Sequence, residues 1–229
     1  MKMNITKSRL RRIINEEIDK ALLQEAAKGP GDLPEDVFVV IAPDAIKAGA
    51  KKKRRVRIFY GTGSRKIRVL GVEQGGLHPS SSPFGGIIIK KSRKGTCGDA
   101  WKIESVSADD GWGPMLYDIA MEWATLNGGG LMADRVSVSG EAREVWDFFF
   151  NKRSDVIPHQ LDDLENELTP DIESDNCNQR TAAWNDWAID PEDMDMKDRW
   201  ADSPLSKRYT KGPQTMQALE SMGKLIEED

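Results

Sequence analysis

The sequence has 229 residues, of which 38% are hydrophobic and 31% are charged, so it can form one domain of fair size with charged tails. No stretch approaches the roughly 18 apolar residues of a membrane-spanning helix. The first residues also lack the apolar core of a secretion signal. These observations predict a soluble, non-secreted protein that has no membrane partner.

Charge is distributed unevenly along the chain. Residues 1–100 carry 21 Lys and Arg against 10 Asp and Glu, whereas the remainder carries 12 against 28. A basic half indicates an anion-binding surface, and its densest cluster is residues 51–57. Because no regularly spaced aromatic residues accompany that cluster, it favours a solvated surface or a cofactor phosphate over nucleic acid.

An amphipathic helix is predicted for residues 6–28, because apolar residues recur on one face and charged residues on the other. Gly29-Pro30-Gly31 ends it. Packing or oligomerisation explains such a helix, and its acidic residues argue against membrane-surface binding. The segment also resembles the basic leaders of tailed-phage proteins, which are cut after a Leu-x-Glu pattern. Leu23-Gln24-Glu25 followed by Ala26 looks like that pattern.

Several strands are predicted before residue 101. Residues 37–41 read as a buried strand, and the basic cluster runs into a second β-prone stretch at 58–60. Residues 66–72 alternate as the second strand of a hairpin. Residues 86–89 begin another strand, which leads towards Trp101.

Residues 101–151 carry the most organised pattern in the chain. A period-2 alternation begins at Trp101 and ends at Asp109-Asp110-Gly111, which predicts a strand and a turn. Apolar residues then recur at helical spacing after Pro114, a residue suited to a first helical turn. A strand that leads through a Gly-x-Gly turn into a helix aims backbone N–H groups at one point and can hold phosphate, although such turns also serve packing alone.

A short strand at residues 131–135 and a second helix follow. Ser139 is predicted to cap that helix, and Glu141 and Glu144 favour the positive end of its dipole. Its buried face is formed by Ala142, Val145, Trp146 and Phe149.

The remaining chain is acidic from residue 158 to residue 202. It lacks the glycine-centred spacing of a calcium loop, so a solvated acidic segment is predicted and no metal site. Tryptophans 184, 187 and 200 predict that part of the segment folds back onto the domain. Residues 215–227 are predicted to dock as a last helix. Cys97 and Cys177 lie far apart and are interpreted as structural spectators, with neither zinc nor a disulfide indicated.

Residues 86–151 resemble the coenzyme A-binding half of the GNAT family of N-acetyltransferases. The residues Ala108-Asp109-Asp110-Gly111-Trp112-Gly113 occupy its pyrophosphate turn, and residues 139–146 occupy its second helix. The resemblance implies an α+β fold with a mixed, mostly antiparallel sheet flanked by helices. Three regions follow: a leader helix and linker at 1–31, an acyltransferase-like domain at 32–157, and an acidic extension with a last docking helix at 158–229.

The same resemblance implies a site for acetyl-coenzyme A as cosubstrate. The backbone amides of Gly111, Trp112 and Gly113 are expected to bind the pyrophosphate. The strand end at Val106 and Ser107 is expected to hold the pantetheine arm.

The implied chemistry is direct attack of an amine on the thioester, without a covalent enzyme intermediate. Glu104 is the candidate base, because it lies on the central strand with a parity opposite to that of Trp101. Tyr117 and Ser139 are the candidate acids. The acceptor amine belongs to a small molecule or to a protein.

Several residues depart from the family pattern. Ala108 replaces a basic or amide residue, Asp109 and Asp110 bring negative charge to the phosphates, and Trp146 stands where the family often has a tyrosine that protonates the leaving thiolate. An indole does not supply that proton. The alternative is therefore an inactive GNAT-fold scaffold.

The ends of the chain favour a phage origin. The closing segment, residues 203–229, resembles the ends of phage-encoded acetyltransferase-like proteins. We therefore expect a protein of the host cytoplasm, or one packaged in the virion, with virion or host proteins as its partners and without nucleic acid.

Overall fold

The computed structural model describes residues 27–35, 37–43, 53–60, 84–134, 136–164, 167–178 and 200–227. The predicted leader helix up to residue 26, with its Leu-x-Glu pattern, lies outside these residues. So do the predicted strand at 66–72 and tryptophans 184 and 187. None of the helices in the described ranges has the length and apolar character that crossing a bilayer requires.

The described residues form one mixed sheet of eight strands. The strands are β1 (Val37–Pro43), β2 (Lys53–Tyr60), β3 (Gly85–Lys91), β4 (Trp101–Ala108), β5 (Leu131–Met132), β6 (Val156–Gln160), β7 (Lys207–Lys211) and β8 (Leu225–Glu227). Their order across the sheet is β6-β7-β5-β4-β3-β2-β1-β8. Neighbours are antiparallel except for the parallel pairs β4–β5 and β1–β8. The predicted α+β class and mostly antiparallel sheet are confirmed.

Three α-helices lie within the described ranges: α1 (Gly113–Leu126), α2 (Gly140–Lys152) and α3 (Gln214–Ser221). The predicted capping of α2 is confirmed, since Ser139 Oγ accepts the N–H of Ala142 at 3.3 Å. The predicted last helix is shorter than expected. It ends before Gly223, whose φ of +67° breaks it, and residues 225–227 pair with β1 instead.

Helix α1 supplies much of the core. The apolar face predicted from the sequence is buried, with Leu116 and Ile119 fully enclosed. Burial of one such side chain stabilises the fold by roughly 1.5–3 kcal/mol. Trp200, from the acidic extension, is also buried and belongs to the same core, as predicted.

A buried carboxylate joins α1 to the end of the chain. Glu122 is fully enclosed and accepts the N–H groups of Thr215 at 2.8 Å and Met216 at 2.7 Å, which belong to the first turn of α3. The ammonium of Lys211 forms an ion pair with the same carboxylate. Glu122 therefore caps α3 from a neighbouring helix and fixes the C-terminal segment to the sheet.

Two interpretations of the sequence are wrong. Cys97 and Cys177 form a disulfide across a separation of 80 residues, because the segment after β6 returns to the connection before β4. The acidic segment is not uniformly solvated either, since Asp162 is 0% exposed and Asp163 is 5% exposed. Sequence spacing conceals both features, because each depends on contacts between distant segments.

Candidate active site

Strand β4 departs from regular pairing at Glu104. Ile88 pairs with Ser105 and Ile89 with Ile103, which leaves Glu104 as the extra residue of a β-bulge. The bulge changes which residues face the helices, because Ile103 is buried in the core and the next residue packed against that core is Val106. Glu104 is exposed, in agreement with its predicted parity.

Within the described residues, no strand pairs with β4 on the side of β5 beyond its first two residues, and this side is called its open edge. The parallel pairing joins only Trp101 and Lys102 to β5, whereas β4 continues to Ala108. The N–H of Asp109 donates to the carbonyl of Phe84. In an antiparallel pair, every second residue directs its N–H and C=O towards the partner strand, so Asp109 and Ser107 direct theirs towards β3. The N–H and C=O of Val106 therefore face the open edge, while Ser107 pairs its backbone with β3.

The turn from β4 to α1 is closed by main-chain contacts. Gly111 has a φ of +85°, a left-handed conformation that favours glycine. The N–H of Trp112 donates to the carbonyl of Asp109 at 3.1 Å, and the carbonyl of Gly111 accepts the N–H of Lys28 at 2.9 Å. The buried indole of Trp112 lies edge-on to Phe84, with ring centroids 5.5 Å apart. Backbone bonds and one buried indole thus fix the turn.

Helix α1 begins without a side-chain cap. Within the described residues, the N–H groups of Gly111, Gly113 and Met115 have no hydrogen-bond acceptor. Pro114 has no N–H to satisfy. The donors lie at the positive end of the helix dipole, where an anion is stabilised.

Charges of both signs surround this turn. Asp109 and Asp110 are exposed, so solvent screens their repulsion of a bound anion. The ammonium of Lys28 lies 5.2 Å from the centre of the Trp112 ring. The turn thus has a cation from the linker at 27–35 beside it, in addition to its own two carboxylates.

Tyr117 lies one turn into α1 and faces α2. Its ring is edge-on to Trp146 with centroids 5.8 Å apart, and it lies 5.9 Å from Phe149. Burial raises the pKa of Tyr117 to about 12, so the hydroxyl keeps its proton at neutral pH. Trp146 itself is buried and stacks on Tyr209 at 5.0 Å.

Ser139 has a structural role as the cap of α2. Hydrogen bonds from its own backbone and from Ser139 lower the pKa of Glu141, which lies in the same first turn. No hydrogen bond or ion pair joins Glu104 to Tyr117 or to Ser139 in the described part of the chain. The structure therefore brings Tyr117 close to Trp146 but does not link the three candidate catalytic residues to one another.

No family model, curated protein or solved structure matches this chain. Its chemistry must therefore be argued from its own residues. Across the described ranges, no three His, Cys, Asp or Glu side chains are grouped to hold a metal ion. Three features could bind a ligand or take part in a reaction. They are the open edge of β4, the uncapped start of α1, and the neutral hydroxyl of Tyr117.

Two features of this site were not foreseen from the sequence. The sequence of β4 alternates without interruption through Glu104, so its periodicity does not predict the bulge at that residue. Lys28 lies next to Gly29-Pro30-Gly31, and only the tertiary structure places it at a turn more than 80 residues away in the sequence. The unusual density of glycine around residue 111 was the one signal that marked the site.

Proposed function

We propose that this protein binds acetyl-coenzyme A and transfers the acetyl group to an amine. The observation that carries the proposal is the open edge of β4, which leads directly to the uncapped start of α1. A pantetheine arm carries amide groups that can pair with an open edge as an added strand does. Its pyrophosphate would then reach the N–H groups of Gly111, Gly113 and Met115.

The succession of elements supports the GNAT resemblance. Strand β4, the Gly-x-Gly turn, helix α1, parallel strand β5 and helix α2 follow one another in the order that the resemblance implies. Within the described residues, β4 and β5 are joined only at Trp101 and Lys102, so the proposal assigns the side of β4 beyond Lys102 to the cosubstrate.

In the proposed reaction, the amine nitrogen attacks the thioester carbonyl and the C–S bond breaks. Glu104 takes the proton from the amine, directly or through water. The departing thiolate takes a proton from Tyr117, whose ring is adjacent to that of Trp146. The tyrosine that the family often has at the position of Trp146 would then be replaced by one from α1. Ser139 remains the second candidate acid, and its hydroxyl proton would have to leave its hydrogen bond to Glu141.

Binding of acetyl-coenzyme A to the full chain tests the first half of the proposal. Isothermal titration should give saturable binding, and Gly113→Glu should weaken it at least tenfold. A Cβ at Gly113 meets no atom within 4 Å, so the variant should fold while its carboxylate competes for the anion site. Gly113→Gln is the matched neutral control and should bind more tightly than Gly113→Glu. Absence of saturable wild-type binding at about millimolar ligand would remove the proposal.

The second candidate function is a GNAT-fold scaffold without activity. Burial of Trp146 at the expected position of the acid favours it, together with the two carboxylates of the turn. A protein that binds acetyl-coenzyme A but releases no thiol with spermidine or a lysine-containing peptide as acceptor would match this candidate. Mass spectrometry of purified virions tests the associated phage role, for which a chain starting at Ala26 is the expected cargo form.

A further inference from the structure

Three side chains after β6 have buried oxygen atoms without hydrogen-bond partners. These atoms are Asp162 Oδ1, Asp175 Oδ1 and Asn176 Oδ1. Asp162 is the most enclosed of the three residues, with 0% of its surface exposed. A buried oxygen left without a partner is unfavourable, and more so when it is charged. Three such atoms on one short segment indicate that a ligand completes them.

Main-chain contacts hold these residues together. Asp162 and Asn176 form a parallel bridge, and paired residues of a bridge project their side chains to the same side. The N–H of Asp162 donates to the carbonyl of Asp175 at 3.2 Å, and the N–H of Cys177 donates to the carbonyl of Asp162 at 2.6 Å. The disulfide from Cys177 to Cys97 then fixes the pair to the connection before β4.

A single hydroxyl lies between the two carboxylates. Thr169 Oγ1 is 2.8 Å from Asp162 Oδ2 and 2.7 Å from Asp175 Oδ2. A threonine hydroxyl has one proton and can donate to only one of them at a time. Asp162 Oδ2 also accepts the backbone N–H of Thr169 at 2.7 Å, so the hydroxyl proton can be donated to Asp175 Oδ2. Two carboxylates held this close still repel each other unless a positive charge lies nearby.

The charges around the cluster are predominantly negative. Burial, followed by the charge of Asp162, raises the pKa of Asp175. Asp163 is also buried and follows Asp162 directly. Among the described residues, Arg208 interacts with the charge of Asp175, while its Nη1 donates to the carbonyl of Gly129 at 2.8 Å. Within the described residues, Asp162 and Asp175 therefore bring two carboxylates to the same threonine, beside one guanidinium.

We propose that Asp162, Asp175 and Asn176 bind a divalent cation of the calcium type through their unpartnered oxygens. Two carboxylates and an amide are hard oxygen ligands, which Ca²⁺ prefers and which it accepts in irregular geometry. Softer metals are disfavoured because the adjacent sulfur atoms are joined in the disulfide. The cation ties the acidic segment to the sheet next to β7.

Titration of the metal-stripped full chain with CaCl₂ tests the site. Wild-type protein should bind one Ca²⁺ with a saturable isotherm, and its unfolding temperature should rise with the Ca²⁺ concentration. Asp162→Asn should weaken binding at least tenfold, because the charge is removed while the shape of the side chain is kept. Glu173→Gln is the matched control, since Glu173 is an exposed acid on the same segment, and it should bind as the wild type does.

A second variant and a second metal ion provide further tests of the proposal. Asn176→Ala leaves both contacts of Thr169 in place, so it replaces Asp162→Asn if that variant fails to fold, and it should also weaken Ca²⁺ binding. MgCl₂ should bind more weakly than CaCl₂, because Mg²⁺ demands regular octahedral ligands. Three results would overturn the proposal: no saturable binding at about millimolar Ca²⁺, equal losses in the control and site variants, or tighter binding of Mg²⁺ than of Ca²⁺.

Discussion

The two ends of helix α1 differ in how their polar groups are satisfied. At the first turn, backbone N–H groups of Gly111, Gly113 and Met115 have no acceptor within the described residues, and no side chain caps the helix. In the second half, Glu122 is fully enclosed, and both of its oxygens accept hydrogen bonds. The same helix is therefore open at one end and closed at the other.

This difference distinguishes polar groups that are fully hydrogen-bonded within the fold from polar groups that can still bind a ligand. A buried polar group that is fully paired stabilises the fold and has no capacity left for a ligand. Unpaired donors at a helix start are satisfied by water or by an anion. The closed end therefore stabilises the C-terminal segment, and the open end has the unpaired donors that the proposed function uses.

Removal of Glu122 tests the closed end and should have the largest effect. Glu122→Ala leaves the ammonium of Lys211 buried and removes the cap of α3. Breaking a buried ion pair in this way costs about 3–5 kcal/mol. Chemical denaturation should show this loss in the free energy of unfolding.

Glu122→Gln is the milder companion variant. It keeps one acceptor oxygen for the first turn of α3 and should lose less stability than Glu122→Ala. A loss below about 1 kcal/mol in Glu122→Ala, which is the range of an exposed pair, would show that the closed end is not an anchor.

Substitution of Tyr117 by Phe tests the open end through chemistry. General-acid catalysis contributes about 10²-fold or more, so kcat for thiol release from acetyl-coenzyme A should fall about a hundredfold, with spermidine or a lysine-containing peptide as acceptor. No hydrogen bond to the hydroxyl exists within the described residues, and Phe preserves the ring contacts with Trp146 and Phe149. The free energy of unfolding at neutral pH should therefore change little.

A pH titration of stability supplies an independent readout for Tyr117. The unfolded tyrosine loses its proton near pH 10, whereas the folded one keeps it up to about 12. Because the folded state holds the extra proton between these values, stability falls as the pH rises through that interval. Tyr117→Phe should reduce this fall. An unchanged kcat in Tyr117→Phe would move the acid role to Ser139.

The sequence was most informative where local patterns decide structure. The strand from Trp101, the helix after Pro114 and the cap at Ser139 were all predicted, since periodicity and capping act within a few residues. The α+β class was implied by the family resemblance of residues 86–151.

Features that depend on distant contacts were not predictable in this way. The disulfide of Cys97 joins residues 80 positions apart, and β8 forms because β1 offers it an edge. The bulge at Glu104 alters pairing without altering composition. At the site itself, the glycine turn was visible in the sequence, whereas the contribution of Lys28 was not.

The glycines that follow α1 offer a test of crowding at its two ends. A Cβ at Gly129 would lie 1.7 Å from the carbonyl oxygen of Gly98, whereas one at Gly113 would meet no atom within 4 Å. Gly129→Ala should therefore cost about 1–3 kcal/mol, as overpacking usually does. Gly113→Ala should leave the free energy of unfolding within about 0.5 kcal/mol of the wild-type value. If Gly129→Ala and Gly113→Ala were equally stable to heat, the backbone at Gly129 would not be more crowded than the backbone at Gly113.

Lys28 should have the smallest effect, because it acts at the open end through an exposed charge. Its backbone N–H holds the carbonyl of Gly111, and its ammonium lies over the ring of Trp112. Lys28→Gln keeps the backbone bond and removes only the charge, which is worth about 0.2–1 kcal/mol at an exposed site. The Kd for acetyl-coenzyme A should therefore rise about threefold at low salt, and the difference should shrink as salt is added. Lys94→Gln removes an exposed charge from another loop and should leave the Kd unchanged. If the two variants behave alike, the linker contributes no charge to the site, and the backbone donors of α1 hold the anion alone.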